Sequence, residues 1–302
     1  MNILRGKVIR IDLDIYIVNI LNSNNIICAK ARGNAKKQGN IVVGDIVEIE
    51  KVNEDYMIKT VIDRKNSLIR PPVSNIDQMI IVISIGAPAP DYILLDKQIA
   101  LCISKGILPI ICVNKIDLAQ DDKKAQEDLE YIKRTYEKLA IKIVYVSALK
   151  NQGIDELKKL LLNKTSAFSG NSGVGKSSIT KQILEKSPDK IEIGDIGQKT
   201  KRGKHTTKSV KLYSISDSSY ILDTPGFSSY ELYDIEHKDL RKYYPEFDIC
   251  KCDYDDCAHV IESEEVCDVK RKVKEDIIDN GRYERYVYIY SKLKEKYDKR
   301  YK

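Results

Sequence analysis

One segment limits the possible folds more than any other: a glycine-rich loop between an apolar run and an amphipathic run. Residues 165–185 read TSAFSGNSGVGKSSITKQILE, in which Gly170, Gly175, Lys176 and Ser177 have the spacing Gly-x4-Gly-Lys-Ser. Glycines at this spacing let the backbone wrap around phosphate oxygens, and the amide groups at the start of the next helix point at the anion. The segment therefore predicts a strand, a phosphate-binding loop and a helix within an α/β domain.

The side chains of this loop have predicted roles in binding a nucleotide. We expect Lys176 to neutralise charge on the β- and γ-phosphates, as part of the catalytic machinery, and the Ser177 hydroxyl to ligate magnesium. The expected contact residues of the loop are Gly170, Asn171, Ser172, Gly173, Val174, Gly175, Lys176, Ser177 and Ser178.

Three continuous apolar runs predict the sheet that carries this loop. The runs MIIVISIG, ILPIICVN and IKIVYVSA are separated by helical stretches such as LLDKQIALCISK and EDLEYIKRTYEKLA. Strands without alternation are typical of a parallel sheet that is buried on both faces, with helices as the crossovers. The central region is therefore predicted to be an α/β domain with a mainly parallel sheet.

Two of these runs end in residues that can recognise a base. The run ILPIICVN leads into Asn114-Lys115-x-Asp117, and the run IKIVYVSA ends in Ser147-Ala148. Ligands bind at the carboxyl ends of strands in open parallel sheets. The carboxylate of Asp117 can accept from both N1–H and the 2-amino group of guanine, whereas adenine would leave it without suitable donors. We therefore predict selection of GTP over ATP.

A fourth motif, Asp223-Thr224-Pro225-Gly226, follows the apolar run YILD. An aspartate here can hold magnesium through water, and the Gly226 amide can meet the γ-phosphate. The order of the motifs is unusual, because the base motifs precede the phosphate loop in the chain. This order predicts a circular permutation, which leaves the site intact because the termini of a doubly wound domain often lie close together.

The N-terminal region predicts a different architecture. From Gly6 to Ile62 about five short alternating strands are separated by turns rich in Asn and Gly, which suits a closed barrel of the OB type. Arg32, Lys36 and Lys37 in one loop favour contact with nucleic acid, while a barrel that docks against protein stays open. The Pro71-Pro72 pair marks a boundary. We predict domains at residues 1–72, 73–230 and 231–302.

Four of the seven cysteines cluster near the C-terminus, and three of them share a pattern with a histidine: Cys252, Cys257, His259 and Cys267. Three thiolates and one imidazole suit tetrahedral zinc, and a full set of four protein ligands indicates a structural site. Cys250 could replace Cys252, and free thiols are the remaining alternative. We expect one zinc ion in a small helical domain.

The net charge of +6 is concentrated at the C-terminus, where residues 270–302 contain 12 Lys and Arg against 6 Asp and Glu. A local basic surface indicates a polyanion such as RNA as the partner. Tyr283, Tyr286 and Tyr290 alternate there with basic residues at helical spacing, which fits either base stacking or a buried stripe. No signal-like segment or membrane-length apolar run occurs, so we expect a cytoplasmic protein.

Taken together, the permuted motifs, ARGNAKK, VVGDIVEIE, RKNSLIRPPVSNIDQ, RGKHTT and the final Cys/His cluster resemble the ribosome small-subunit-dependent GTPase A (RsgA) family of circularly permuted GTPases. The resemblance spans nearly the whole chain. It implies an OB barrel, a GTPase domain and a zinc domain, and a role in late maturation of the small ribosomal subunit, whose binding stimulates hydrolysis. The expected partners are that subunit and its rRNA, with no membrane and no DNA, and we expect a monomer.

Hydrolysis is where the sequence leaves most open. Thr206 and Thr207 are the candidates for completing magnesium coordination, with Thr207 slightly favoured. Phe227 follows the Asp223 motif, where many GTPases have a glutamine that orients water. His205 is the local substitute, and the resemblance implies this role too; contact with RNA, or a group supplied by the ribosome, are alternatives. A GTP-gated binding module with negligible turnover therefore remains the second hypothesis.

Overall fold

A computed structural model of the chain describes residues 3–23, 25–33, 40–185, 210–216, 218–223, 232 and 234–300. The chain divides into two compact units. The first contains residues 1–80, 151–169 and 175–227, and the second contains residues 81–150, 170–174 and 228–302. Both units are therefore assembled from segments that are distant in the sequence.

The strands are, in chain order, β1 (Leu4–Asp12), β2 (Ile15–Ile20), β3 (Ile26–Ala31), β4 (Ile46–Val52), β5 (Asp55–Val61), β6 (Ser67–Leu68), β7 (Val73–Ser74), β8 (Gln78–Ser84), β9 (Leu108–Asn114), β10 (Lys142–Tyr145), β11 (Thr165–Ser169), β12 (Lys211–Ser216) and β13 (Ser219–Asp223). The α-helices are α1 (Tyr92–Ser104), α2 (Lys123–Tyr136), α3 (Ile154–Leu161), α4 (Lys176–Glu185), α5 (Asp268–Lys274) and α6 (Asn280–Arg300). Short 3-10 helices are η1 (Ile116–Gln120), η2 (His237–Tyr243) and η3 (Pro245–Phe247). Among the described residues, no helix has the length and apolarity needed to span a bilayer.

The first five strands close into a barrel. Their order is β1-β2-β3-β5-β4, and antiparallel pairing of β4 with β1 completes the circle. The barrel core includes Val8, Val18, Val47, Ile49 and Ile58. Burial does not strictly alternate, because β1 and β2 each have four consecutive buried residues, at positions 6–9 and 16–19. The predicted five-strand N-terminal barrel is confirmed.

The same unit continues through β12, β13 and β11. Arg10 of β1 lies opposite Lys211 of β12, β12 pairs antiparallel with β13, and β13 pairs parallel with β11. A buried polar contact accompanies these strands: Lys7 Nζ donates to Thr165 Oγ1 at 2.5 Å and lies 4.8 Å from the centre of the Tyr220 ring. Burial lowers the pKa of Lys7 to about 8.

The second unit contains β10, β9 and residues 81–84 of β8; the strand order is β10-β9-β8, and β9 runs parallel to β10. Nearly every residue of β8 and β9 is buried, which explains why their sequences do not alternate. Two helices of this unit begin at aspartates: Asp91 accepts from the Leu94 amide at the start of α1, and Asp122 accepts from amides of the first turn of α2. Such caps satisfy amide groups that have no partner within the helix.

The C-terminal helices share a core with α1. Buried members of this core include Leu101 of α1, Leu240 of η2, and Tyr286, Ile289 and Tyr290 of α6. The sequence fitted either base stacking or a buried stripe for Tyr283, Tyr286 and Tyr290. The last two of these tyrosines lie in the core. Stripes of apolar residues at helical spacing are more often buried than available for base stacking.

Buried charges join the same elements. The Asp96 carboxylate of α1 accepts hydrogen bonds from Arg282, from Arg285 Nε at 2.6 Å and from the Tyr136 hydroxyl at 2.7 Å. Arg282 also pairs with Glu246, and its side chain is 2% exposed. Two arginines and two carboxylates thus balance one another, as buried charges must.

Candidate functional site

Asn114, the last residue of β9, holds the base motifs and the phosphate loop together. Its Nδ2 donates to the carbonyl of Val174 at 2.8 Å, and its Oδ1 accepts from the amide of Ala148 at 3.0 Å. Asn114 is 2% exposed. The second unit therefore brings together three predicted site segments that are spread over 60 residues of the chain.

Asp117 lies in η1, after Lys115, which has a left-handed backbone with φ of 67°. Among the described residues, Asp117 Oδ1 has no hydrogen-bond partner although the atom is buried. A buried carboxylate oxygen without a donor costs free energy, so a ligand that offers N–H donors would be bound favourably. Guanine has such donors at N1 and at its 2-amino group, and the residue therefore fits the predicted recognition of guanine.

The glycines of the phosphate loop are required by backbone geometry. Gly170, Gly173 and Gly175 have positive φ angles of 132°, 81° and 97°. A Cβ atom on Gly170 would lie 2.1 Å from the carbonyl oxygen of Val82. Residues with side chains would be strained or excluded here, so the close wrapping of the loop depends on glycine. The loop therefore fits a phosphate chain.

Helix α4 begins at Lys176, directly after this loop, and Ser177 and Ser178 follow as exposed residues in its first turn. Burial lowers the pKa of Lys176. An ammonium group that is partly removed from water gains more from a nearby anion than a fully hydrated one. Ser172 of the phosphate loop is exposed, whereas Ser147 of the base motif is buried.

Several predicted site residues lie outside the described part of the chain: His205, Thr206, Thr207, Gly226, Phe227, the side chain of Asp223, and Lys36 and Lys37 of the barrel loop. The backbone of Asp223 is the end of β13. The expectations for water activation and for the second half of the magnesium site therefore stay predictions.

The four predicted zinc ligands lie together. One ligand atom from each of Cys252, Cys257, His259 and Cys267 falls within 4.8 Å of all the others. His259 Nδ1 lies 3.6 Å from the sulfurs of both Cys252 and Cys267. Ordinary Zn–S and Zn–N bond lengths at a tetrahedral angle give a separation of about 3.6 Å, so the cluster is compatible with zinc. Cys250 is not part of this group, and its sulfur contacts the carbonyl of Glu246.

The surroundings of the cluster orient its ligands. Tyr283 donates to the carbonyl of His259 at 2.8 Å, and the Glu262 carboxylate accepts from the amides of Ala258 and Val260. Burial lowers the pKa of His259 to about 4 and raises the pKa of Cys257 to about 12. A neutral imidazole is ready to bind a metal, whereas a buried thiol needs a nearby cation to become a thiolate. The three thiols and one imidazole, with their ligand atoms within 4.8 Å of one another, are therefore compatible with a divalent metal.

Two contacts to predicted site residues come from residues 86–91, for which no sequence motif predicts a role. The carbonyl of Ala87 accepts from Lys115 Nζ at 2.5 Å, and Asp91 Oδ2 accepts from Asn171 Nδ2 at 3.1 Å. The sequence signal at Asp91 is that of a helix start, because aspartate is a preferred capping residue. The capping preference of aspartate does not predict that the same carboxylate also accepts from Asn171.

Known proteins are similar to this chain in sequence. A sequence model of the RsgA GTPase family matches residues 61–233. The chain is 39% identical over 306 residues to the small ribosomal subunit biogenesis GTPase RsgA of Caldanaerobacter subterraneus subsp. tengcongensis, with 100% of both chains covered. It is 36% identical to the protein of that name from Bacillus velezensis, over 96% of this chain and 98% of that protein.

Two solved structures are similar to this chain over nearly its whole length. The crystal structure of YjeQ from Thermotoga maritima is similar with a TM-score of 0.83 and 32% identity, covering 97% of this chain and 99% of that one. YloQ, described as a circularly permuted GTPase, has a TM-score of 0.79 and 28% identity over 98% and 96%. The predicted fold class is confirmed: an N-terminal barrel, a circularly permuted GTPase fold, and a C-terminal Cys/His cluster compatible with zinc.

Proposed function

Because the chain belongs to the RsgA family of circularly permuted GTPases, we propose that it hydrolyses GTP to GDP and phosphate during late maturation of the small ribosomal subunit. The buried Asp117 oxygen, which lacks a partner among the described residues, is the observation that carries the guanine half of the proposal. The ribosomal half is supported by the names of relatives that match over the full chain.

Guanine recognition combines two of the described loops. Asp117 accepts from N1–H and the 2-amino group, and the loop at Ser147 and Ala148 contacts the O6 side of the base. Asn114 supports this arrangement, because its side chain already bonds the Ala148 amide and the Val174 carbonyl. A base that lacks the two donors would leave the Asp117 carboxylate unpaired, which makes binding unfavourable by several kcal/mol, roughly the cost of losing two charged hydrogen bonds.

The phosphate chain lies in the loop from Gly170 to Ser178 in this proposal. Backbone amides and the Lys176 ammonium would contact the phosphate oxygens, and the Ser177 hydroxyl and Thr207 would hold magnesium, with Asp223 acting through water. When bound, magnesium offsets the charge of the β- and γ-phosphate oxygens. The exposed hydroxyl position of Ser177, directly after the loop, supports its assignment.

Hydrolysis requires a water molecule in line with the γ-phosphorus. The water oxygen forms a bond to phosphorus, the bond from phosphorus to the β–γ bridging oxygen breaks, and GDP leaves with that electron pair. Phe227 cannot orient water by hydrogen bonding, so we assign the orientation of the attacking water to His205. In the same segment, Thr206 is the alternative to Thr207 as the magnesium ligand. Slow turnover without the ribosome is the expected consequence.

The outer regions hold the ribosome in this proposal. Residues 1–72 form the RNA-binding barrel, residues 73–230 the GTPase domain, and residues 231–302 the zinc domain, all in a monomer. Cys252, Cys257, His259 and Cys267 hold one structural zinc ion, which would keep their thiols ionised. Metal analysis of the purified protein would give one zinc per chain, and less than half of that in Cys257→Ala if the assignment is right.

The test is steady-state GTP hydrolysis with small ribosomal subunits, with large subunits and with neither. Strong stimulation by small subunits alone is the expected result, and His205→Ala should reduce it while GTP binding is preserved. Equally slow turnover in all three conditions would contradict the proposal. It would favour a GTP-gated binding module instead, for which Phe227 is the supporting feature.

A further inference from the structure

Residues 86–91, which read GAPAPD, contact both halves of the proposed nucleotide site. They follow β8 after Ile85 and end at Asp91, the residue before α1. They belong to the second unit, together with Lys115 and with residues 170–174 of the phosphate loop. The sequence motifs assigned no function to this segment.

The segment is held in place by its neighbours in the same unit. The amide of Gly86 donates to Asp128 Oδ2 of α2 at 2.9 Å, and the Ser84 hydroxyl donates to the carbonyl of Pro88 at 3.0 Å. The two prolines at positions 88 and 90 further restrict the backbone, because the ring fixes φ. Residues 86–91 therefore form a stiff support rather than a freely moving loop.

One contact of this support is with the base-recognition loop. Lys115 Nζ donates to the carbonyl of Ala87 at 2.5 Å. Lys115 itself has the left-handed backbone that turns the chain from β9 into η1, where Asp117 lies. The base loop is thus attached to residues 86–91 through its lysine.

The other contact is with the phosphate loop. Asp91 uses both carboxylate oxygens: Oδ1 accepts from the Leu94 amide at 2.9 Å and caps α1, while Oδ2 accepts from Asn171 Nδ2 at 3.1 Å. Pro88 lies beside Gly173 of the same loop, where an added Cβ would be 3.7 Å from the proline ring. One carboxylate therefore ties the first residue after Gly170 to the start of a helix.

We propose that Asp91 is a positioning residue for the phosphate-binding loop. It holds Asn171, and through it the loop amides, in the arrangement that a nucleotide phosphate chain requires, before the nucleotide binds. A loop that is already ordered loses less conformational entropy on binding, so the contact increases affinity without touching the ligand. The proposal rests on the proposed nucleotide site at residues 170–178.

The experiment compares Asp91→Ser and Asp91→Asn in the full-length protein, with a fluorescent GDP and a fluorescent GTP as the probes. Serine and asparagine both cap helices well, so α1 should be equally stable in the two variants, which thermal melting checks. Serine is too short to reach Asn171. Asparagine at position 91 can donate from Nδ2 to Asn171 Oδ1 once the Asn171 side-chain amide has flipped.

We expect Asp91→Ser to weaken GDP and GTP binding alike, by about threefold to tenfold, the usual effect of one lost hydrogen bond. KM should rise while kcat stays the same, because the contact is present in both the ground state and the transition state. Asp91→Asn should restore most of the affinity. In Asn171→Ala the additional change Asp91→Ser should have no further effect, because the partner is already absent.

Three outcomes would overturn the proposal: unchanged affinity in Asp91→Ser, equal losses in the serine and asparagine variants, or losses in Asp91→Ser and Asn171→Ala that add in the double variant. Wild-type protein and Asp117→Ala serve as references for the site itself. If the wild type did not prefer GTP over ATP, or Asp117→Ala kept that preference, the proposed function would fail at that step. A failure confined to the Asp91 variants would leave it standing.

Discussion

At the scale of single residues, the arrangement of the site follows from which polar atoms have partners. Asn114 has both side-chain groups bonded, to the Val174 carbonyl and the Ala148 amide, and so it acts as a structural link. Asp117 differs, since its buried Oδ1 has no partner within the described residues. Most buried polar atoms in native proteins are bonded, so an unpaired carboxylate oxygen beside the candidate base motifs is compatible with a ligand that offers N–H donors.

Exchanging the carboxylate of Asp117 for an amide should change the preferred base. In Asp117→Asn one acceptor becomes a donor, which suits the 2-oxo group of xanthine and not the 2-amino group of guanine. We expect GTP affinity to fall by about a hundredfold, from the loss of charged hydrogen bonds, while affinity for xanthosine triphosphate rises above it. Competition binding with both nucleotides measures this; an unchanged preference for GTP would place guanine elsewhere.

The burial of Lys7 predicts that the free energy of unfolding depends on pH. Its pKa is about 8 in the folded protein against 10.5 ordinarily. Between these values the unfolded chain binds a proton that the folded protein does not, so the free energy of unfolding rises with pH. Relative to Lys7→Met, the wild type should gain about 2 kcal/mol between pH 7.5 and pH 9.5. Urea unfolding of both proteins at both pH values tests this, and a constant difference would contradict it.

At the scale of elements, the candidate site residues lie where strands and helices begin and end. Asn114 is the end of β9, Lys176 the beginning of α4, and Asp91 the residue before α1. Backbone groups lack partners at such ends, and ligands or side chains supply them. Helix α1 has a second role, because its Asp96 pairs with Arg282 and Arg285 of α6.

Helix α1 and helix α6 should therefore be strongly coupled in stability. Asp96→Leu leaves the buried charge of Arg282 partly uncompensated, and we expect it to lower the free energy of unfolding by about 3–5 kcal/mol. Adding Arg282→Met should recover part of that loss, because the charge is removed together with its partner. Urea unfolding of the two single variants and the double variant gives the coupling; strictly additive losses would mean that the pair contributes nothing as a pair.

At the scale of the whole molecule, the permuted chain order and the charge distribution are the distinguishing features. The base motifs precede the phosphate loop in sequence, yet residues 81–150 and 170–174 belong to one compact unit. The excess of positive charge lies in residues 270–302, where Arg282 and Arg285 are used internally. Lys292, Lys294 and Lys299 of α6 are exposed, and Lys292 is in a solvent-exposed ion pair with Glu295 at 3.1 Å.

Binding to small ribosomal subunits should accordingly depend on salt. Replacing Lys292, Lys294 and Lys299 by glutamine should weaken binding and reduce the slope of log affinity against log salt by up to about three, roughly one per phosphate contact. The same replacement of Lys123, Lys124 and Lys138, exposed residues on and just after α2, removes equal charge and is the matched control. Equal effects of the two sets would indicate unspecific attraction in place of contact through α6.

Local pattern in the sequence was sufficient for much of the architecture. Alternation predicted the barrel, continuous apolar runs predicted β8 and β9, and residue type and spacing predicted the grouping of Cys252, Cys257, His259 and Cys267. These features depend on residues close together in the chain, and hydrophobic period, turn residues and ligand chemistry are local properties. The family resemblance rested on the same local motifs and is confirmed.

Contacts between distant residues were decided by the tertiary structure. Nothing in GAPAPD predicts that Asp91 reaches Asn171, and nothing in the tail predicts that Arg282 is buried against Asp96 and Glu246. The spacing of Tyr286 fitted either a buried stripe or base stacking, and only the packing placed it in the core. The sequence by itself determined which chemical groups the chain has and which elements they occupy. Only the packing of those elements decided which groups have partners, because a hydrogen bond or ion pair between distant residues depends on distances that no local pattern contains.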